Sequence, residues 1–344
     1  MKIVVYLGTG GVGKTSLAAA TALAHARHGR RSLVLTTDPA RRLRTALGLS
    51  ADALEQLVPL DPPAPAELWG AMLDVRSTLD DAVRMYGKPA VVDRVLAHPI
   101  YATIASSLAG MSELMAVERI DQLIRRGFDN IVVDTAPSRH ALEFLDKPLF
   151  FAGLSDSSWV KLIGRTYRFA AASPLGFLSR GTFEVYSKVE GILGARLVSQ
   201  ILEFYSLFVS IAEGYSARAR HTVALLKNPA VTEFRIVTTP QKAVADAAYF
   251  LEQLGSRGFP VEAVCVNRVW TAAAGPERGP GLEGELLDWY EAVRDSQQRE
   301  LDRLSLNLGA AATKIIPVPE LDTDVGGLDS LERIAASAPL VPAT

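Results

Sequence analysis

The sequence contains one cysteine, Cys265, in 344 residues. A single thiol excludes an internal disulfide and any zinc or soft-metal centre built from paired thiolates of one chain. Its setting, EAVCVNRV, reads as a small core residue rather than a nucleophile. An excess of basic charge is also missing, with 36 Lys and Arg against 38 Asp and Glu and a net charge of −2. No global positive field recruits nucleic acid, and no nucleic-acid partner is expected without a local patch. No run reaches the roughly 18 uncharged apolar residues that cross a bilayer. The most apolar helix-like run, Leu197 to Ala212, is shorter and carries Gln200 and Glu203. The first residues, MKIVVYL, form a strand-like run without the apolar stretch and cleavage site of a signal peptide. Internal repeats and long tails of one charge are absent too. These absences together predict a soluble, cytoplasmic protein with no transmembrane segment of its own.

What is present is ordinary globular material, 49% apolar and 22% charged, enough for one large α/β domain or two modest ones. Short apolar runs rich in Val and Ile alternate with helical patterns, which predicts a mainly parallel sheet flanked by helices. Strands are expected at Lys2–Leu7, Ser32–Thr36, Asn130–Asp134, Phe234–Thr238, Ala263–Asn267 and Lys314–Pro317, and helices at Thr15–His28 and Gln241–Gly255. Two stretches break the alternation. Residues of about 50–125 look partly helical around a Pro-rich turn at Asp61–Pro65. Residues 146–231 hold no convincing strand, and Leu197, Ile201, Phe204, Phe208 and Ile211 recur there at helical spacing. The expected organisation is an α/β domain over 1–145 and 232–344, interrupted by a helical subdomain over 146–231.

The run GTGGVGKTS, Gly8 to Ser16, fits the phosphate-loop pattern G-x-x-x-x-G-K-[ST], with a strand before it and an Ala/Leu-rich helix after it. Glycines let backbone N–H groups turn onto an anion, and the helix N-terminus adds its partial positive charge. The backbone of Gly10, Gly11, Val12 and Gly13 with Lys14, Thr15 and Ser16 is therefore expected to hold ATP. Lys14 would reach the β- and γ-phosphates and the Thr15 hydroxyl would sit on Mg²⁺. A nicotinamide fingerprint fits less well, because Lys14 and Thr15 have no role in one.

Two aspartates follow strands in register with that loop. Asp38 closes the second strand in LTTDPA, where Pro39 stops the strand and leaves the carboxylate on a loop. Asp134 ends NIVVD in the same way. Either alone could be a turn or cap residue. As a pair at the carboxyl edge of a doubly wound sheet they predict a Mg²⁺ neighbourhood of Thr15, Asp38 and Asp134. Asp134 is assigned to the ion and Asp38 to orienting the attacking water, and Lys14 is counted as catalytic with Asp38 through its reach to the phosphates.

On these residues the sequence resembles the ArsA-type ATPases, the arsenite-pump ATPase and its relatives that guide tail-anchored membrane proteins. The matching segments are GTGGVGKT, TTDPA, DTAPSRH followed by ALEFLDKP, TEFRIVTTP, VCVNRV and IPVPELDTDVGGLDSL. They run from residue 2 to about 334, nearly the whole chain. GGVGKT alone is shared with the MinD and ParA relatives, whereas DTAPSRH with TEF and NRV is more specific. The resemblance implies a P-loop NTPase that uses ATP and Mg²⁺ and works as a dimer with facing nucleotides. It further implies helical subdomains that open and close with hydrolysis, binding a hydrophobic client or membrane partner. It places Asn267 on the adenine and the segment at Pro319 and Glu320 around the base. Glu113 resembles one member of the family's Asp-Glu pair, or is simply a carboxylate at a helix start.

The departures from the family pattern also carry information. Family members usually have a lysine directly after the loop's first glycine, reaching the partner's nucleotide, and here that position is Thr9. A hydroxyl cannot replace that charge, which predicts slower hydrolysis than binding alone would suggest. Arg41, Arg42 and Arg139 are candidates to restore it, set against the simpler reading of solvated surface arginines. A heterodimer with a lysine-bearing relative is the alternative to a homodimer. The thiols with which the arsenite pump binds its metalloid are missing. Besides the client-binding ATPase, two functions remain: an ATP-binding regulatory or scaffold protein with little hydrolysis, and the ATPase subunit of an anion transporter without thiol ligands. A MinD- or ParA-like positioning role ranks last, because the tail SAPLVPAT has no basic amphipathic helix.

Overall fold

The computed structural model describes residues 1–38, 42–107, 111–136, 142, 145–146, 195–271, 284–309, 313–323 and 325–341. Eight described strands form one sheet: β1 (Lys2–Gly8), β2 (Ser32–Thr36), β3 (Glu55–Leu57), β4 (Leu68–Met72), β5 (Asn130–Asp134), β6 (Thr232–Thr238), β7 (Val261–Val269) and β8 (Lys314–Pro319). Their order is β3-β4-β2-β5-β1-β6-β7-β8, and every neighbouring pair is parallel except β3 with β4. The six strands expected from sequence are all present. β2 and β5 are buried along their full length, which explains their continuous apolar runs. β3 and β4 lie in the stretch read as partly helical. LWGAM carries no β-branched residue, and EQL is a three-residue antiparallel edge with no apolar alternation to announce it.

Parallel pairing is what assembles the site. Every strand from β2 to β8 across the sheet runs with β1, so their carboxyl ends share one edge, where ligands of open α/β sheets bind. From β1 the chain leaves toward β2 on one side of the sheet and returns through β6 on the other, putting the crevice at the end of β1. α1 (Lys14–Arg27) is buried nearly all round, because it lies on β1, β2 and β5 and is covered by α10 (Gly327–Ser337) and α2 (Arg42–Leu47). Its interior, LAAATALAHA, combines strong helix formers with side chains small enough for that double packing. Cys265 is fully buried in the same core, and burial pushes its thiol up to about 11.

Contacts divide the chain into two compact units, Met1–Leu73 with Leu123–Leu142 and Ala224–Thr344, and Asp74–Gln122 with Glu143–Val223. The first holds the sheet together with α8 (Ala243–Ser256) and α9 (Gly284–Leu308). The described part of the second is helical: α3 (Val75–Tyr86), α4 (Pro89–Leu96), α5 (Pro99–Ser107), α6 (Met111–Ile124) to Gln122 and α7 (Ala195–Lys227) to Val223. α7 carries the spacing noted from sequence, with Phe204 and Ile211 buried and Ile201 exposed. Several polar groups inside this unit are paired with one another. Tyr86 donates to Glu118 at 2.8 Å, Gln122 donates to Glu118 at 3.2 Å, and Thr222 donates to Asp121 at 3.2 Å. No described helix is long and apolar enough to cross a membrane.

Candidate active site

The glycine loop closes β1 and opens α1. Gly13 is the N-cap of α1 at φ 92°, with no side-chain cap and no acidic residue in the first turn. The first N–H groups of the helix therefore keep their donors for an anion. Side chains are excluded where the loop is tightest. A Cβ on Gly8 would overlap the Val237 carbonyl, and one on Gly13 would overlap the Asn267 amide. The Val12 side chain points into the core, so only its backbone can meet a ligand. Gly10 and Gly11 are exposed.

Lys14 is buried, and its ammonium donates to the Thr9 carbonyl at 2.9 Å, folded back over its own loop. Burial lowers its pKa from the usual lysine range. Asp134 and Asp38 oppose that fall and Arg42 adds to it. Asp134, at the end of β5, is 1% exposed. Its Oδ2 accepts from Thr15 at 2.8 Å and from Thr36 at 2.9 Å. Its Oδ1 is buried without a hydrogen-bond partner. Burial raises the carboxyl to about 6, against the hydroxyl donors and Lys14, while Asp38 adds to the rise. The ends of β2 and β5 are further joined by Thr37 N–H to the Asp134 carbonyl at 2.9 Å and by Ala136 N–H to the Thr37 hydroxyl at 3.1 Å. Asp38 is half-buried one residue on, its N–H bonded to the Thr36 hydroxyl at 3.2 Å.

An unpartnered buried carboxylate oxygen beside a hydroxyl at a helix N-terminus suits a Mg²⁺ ion. Mg²⁺ keeps waters and takes phosphate oxygens, and needs few protein ligands. Among the described residues no three His, Cys, Asp or Glu side chains converge as around a protein-caged metal. Thr15 and Asp134 are the residues that would hold the ion's shell.

Two cavities meet over the loop. One, of about 370 Å³, is lined by Lys14, Thr15, Asp38, Arg42 and Thr45 among others. The other, of about 350 Å³, is lined by Leu17, Asn267, Pro319, Glu320, Leu321 and Ile334 among others. Gly13, Ser16, Arg268 and Val325 line both. Asn267 spends one amide hydrogen on the Val12 carbonyl at 2.9 Å, and the Glu320 N–H bonds the Val269 carbonyl at 2.9 Å. The structure thus brings together every loop residue, both aspartates and the expected base-pocket residues. Arg42 lines the cavity that holds Lys14 and Thr15, while Arg41 and Arg139 lie outside the described residues. Glu113 occupies the first turn of α6, in the second unit.

Three participants escaped the sequence reading. Thr36 shares the Asp134 oxygen, and the first threonine of TTD, facing the next strand, was the available signal. Asp246 accepts from the Thr9 hydroxyl at 3.1 Å across 237 positions of chain, which no local pattern announces. Arg268 follows Asn267 in NRV and would be assigned to the opposite face by strand alternation.

Comparison with known proteins agrees with this architecture. The family model described as an anion-transporting ATPase matches residues 1–165. Protein Rv2184c of Mycobacterium tuberculosis is 28% identical over 361 aligned positions, covering 99% of this chain and 77% of its own length. ATPase ARSA1 of Chlamydomonas reinhardtii is 25% identical over 96% of this chain, which spans only 42% of that relative. ATPase GET3C of Arabidopsis thaliana is 25% identical, with 94% of this chain and 79% of its own length aligned.

Proposed function

We propose that the chain is an ArsA-type ATPase that binds Mg-ATP over the β1–α1 loop and hydrolyses it to ADP and phosphate, a reading supported by the family match over residues 1–165 and by the relatives described above. One observation carries the reading: Lys14, Thr15, Asp38 and Asp134, from three strand ends, line or support one cavity at the N-terminus of α1. Mg²⁺ there would neutralise charge developing on the phosphates. The chain's own part is positional. The loop N–H groups and Ser16 hold the phosphates, with Gly10, Gly11, Val12 and Gly13 contributing backbone. Lys14 swings from the Thr9 carbonyl to the terminal phosphates. Asp134 fixes the Thr15 hydroxyl for the ion, and Asp38 orients the attacking water. Asn267, Pro319 and Glu320 enclose the adenine.

In this proposal the nucleotide state sets the opening and closing of a dimer in the cytoplasm, and with it access to a hydrophobic client or membrane partner. The helical unit supports the second half, since it carries exposed Met85 and Ile201 beside its own buried core. Steady-state phosphate release tests the enzyme, with Lys14→Ala as the inactive control; equal rates in the two proteins would overturn it. Binding of a tail-anchor peptide with and without Mg-ATP tests the client, and no binding in either state would remove that half.

A second reading is favoured by Thr9. Its hydroxyl carries no charge and is engaged inside its own subunit with Asp246, which supports an ATP-binding scaffold with little turnover. Thr9→Lys separates the two: a rise in turnover means the missing charge limits an enzyme, and no rise favours the scaffold or a lysine-bearing partner chain. An anion-transport role would have to bind its anion without thiols, because Cys265 is buried and its pKa is raised.

A further inference from the structure

We propose that Arg268 is a nucleotide-binding residue whose guanidinium spans the junction of the base and phosphate cavities and pairs with the phosphate nearest the ribose. The inference rests on the loop being a nucleotide site.

The backbone makes the first case. Along a strand, side chains alternate between faces, so a regular β7 would point Asn267 at the loop and Arg268 away from it. β7 is not regular at this point. Its pairing with β8 runs Val266 with Pro317 and Asn267 with Val318, then skips to Val269 with Pro319, leaving Arg268 as an extra residue. Arg268 sits at φ 65°, the one positive φ recorded for a non-glycine among the described residues. Left-handed backbone is uncommon for a residue bearing a Cβ, and bulges beside active sites re-aim side chains in this way. The result is that Asn267 and Arg268, consecutive in sequence, both line the base cavity.

Position and charge make the second case. Arg268 lines both cavities together with Gly13 and Ser16, at the start of α1. A nucleotide with its base by Asn267 and its terminal phosphates by Lys14 must cross that junction with its ribose and first phosphate. Three other arginines of this unit are committed elsewhere, Arg235 to Glu233, Arg31 to Glu67 and Arg333 to Asp322, and Arg42 lines only the cavity at Lys14. The exposed Arg268 guanidinium makes no hydrogen bond or ion pair among the described residues, although Glu320 lines the same cavity. A planar fork of donors held over a phosphate-binding helix start is suited to a phosphate oxygen pair.

Titration of the full chain with Mg-ADP by calorimetry tests the assignment, on wild type, Arg268→Gln, Arg268→Lys and Arg268→Gly. Losing a charge-assisted contact should raise Kd roughly 10-fold or more in the Gln and Gly variants, while Lys keeps most of the affinity. Glycine accepts the left-handed backbone, so Arg268→Gly should melt no lower than wild type without nucleotide even as it loses affinity. A purely structural arginine would behave in the opposite way, with a lower melting point and unchanged affinity, and that result overturns the proposal. Gln and Gly variants that bind Mg-ADP as wild type does overturn it as well. Wild type that binds no Mg-ADP overturns the reading of the loop itself, which keeps the two failures apart.

Discussion

Thr9 donates its hydroxyl to Asp246 at 3.1 Å, tying the second residue of the glycine loop to the first turn of α8. Thr238, at the end of β6, donates to the same oxygen at 3.1 Å. The buried carboxylate thus joins loop, strand and helix, and it also sits favourably near a helix N-terminus. Asp246→Ala should leave two hydroxyls without their acceptor and cost roughly 1–3 kcal/mol in urea unfolding. Asp246→Asn keeps an acceptor oxygen and should cost less. Equal stabilities for the two variants would mean that the carboxylate oxygen is not the tie.

Asp134 predicts opposite effects on stability and activity. In the unfolded chain it titrates near 3.8, and in the folded chain near 6. Between those values the folded protein keeps a proton that the unfolded chain has released. Stability of the nucleotide-free protein therefore falls as pH rises through that window, by up to roughly 3 kcal/mol, and is level with respect to this group above it. Asp134→Asn should remove that slope and raise the melting point at neutral pH, while Mg²⁺-dependent phosphate release is lost. Thermal melts from pH 4 to 7, at roughly half-unit steps, read the slope; a variant with the wild-type slope would show that another group is responsible.

Lys14 is coupled to that titration. Its ammonium opposes the rise in the Asp134 pKa, so Lys14→Ala should shift the pH window of the slope upward. The same variant should lose turnover by roughly 100-fold or more, since a donor aimed at developing phosphate charge is removed. An unchanged window with lost turnover would confine Lys14 to the nucleotide-bound state.

Much of this site could be read from residues alone, for identifiable reasons. The glycine loop was legible because close backbone packing at Gly8 and Gly13 admits no side chain. Asp38 and Asp134 were legible because parallel strands bring their carboxyl ends to one edge, so two strand-end carboxylates imply one neighbourhood. The misses come from registers and distant contacts. Arg268 depends on a bulge between β7 and β8, visible only in the pairing. Asp246 reaches Thr9 from a helix far along the chain. β3 and β4 have too few residues, and too little β-branching, for periodicity to separate them from a helical stretch.

Gly13 and Asn267 should be energetically coupled. Gly13 is held at φ 92°, and the space a Cβ would take is filled by the Asn267 amide, itself donating to the Val12 carbonyl at 2.9 Å. Gly13→Ala therefore has two costs: left-handed backbone with a Cβ, about 1–2 kcal/mol, and displacement of the amide from its acceptor. Asn267→Ala loses that hydrogen bond, about 1 kcal/mol, with the strand retained. In the double variant the hydrogen bond is already gone and the overlap is relieved, so only the backbone cost is added. The double variant should be more stable than the sum of the singles by roughly 0.5–3 kcal/mol, the range for residues in contact. Strict additivity in urea unfolding would mean that the amide swings clear at no cost. In that case the glycine at position 13 answers to backbone conformation alone, and a residue that tolerates left-handed φ, such as Asn, should substitute for it without loss.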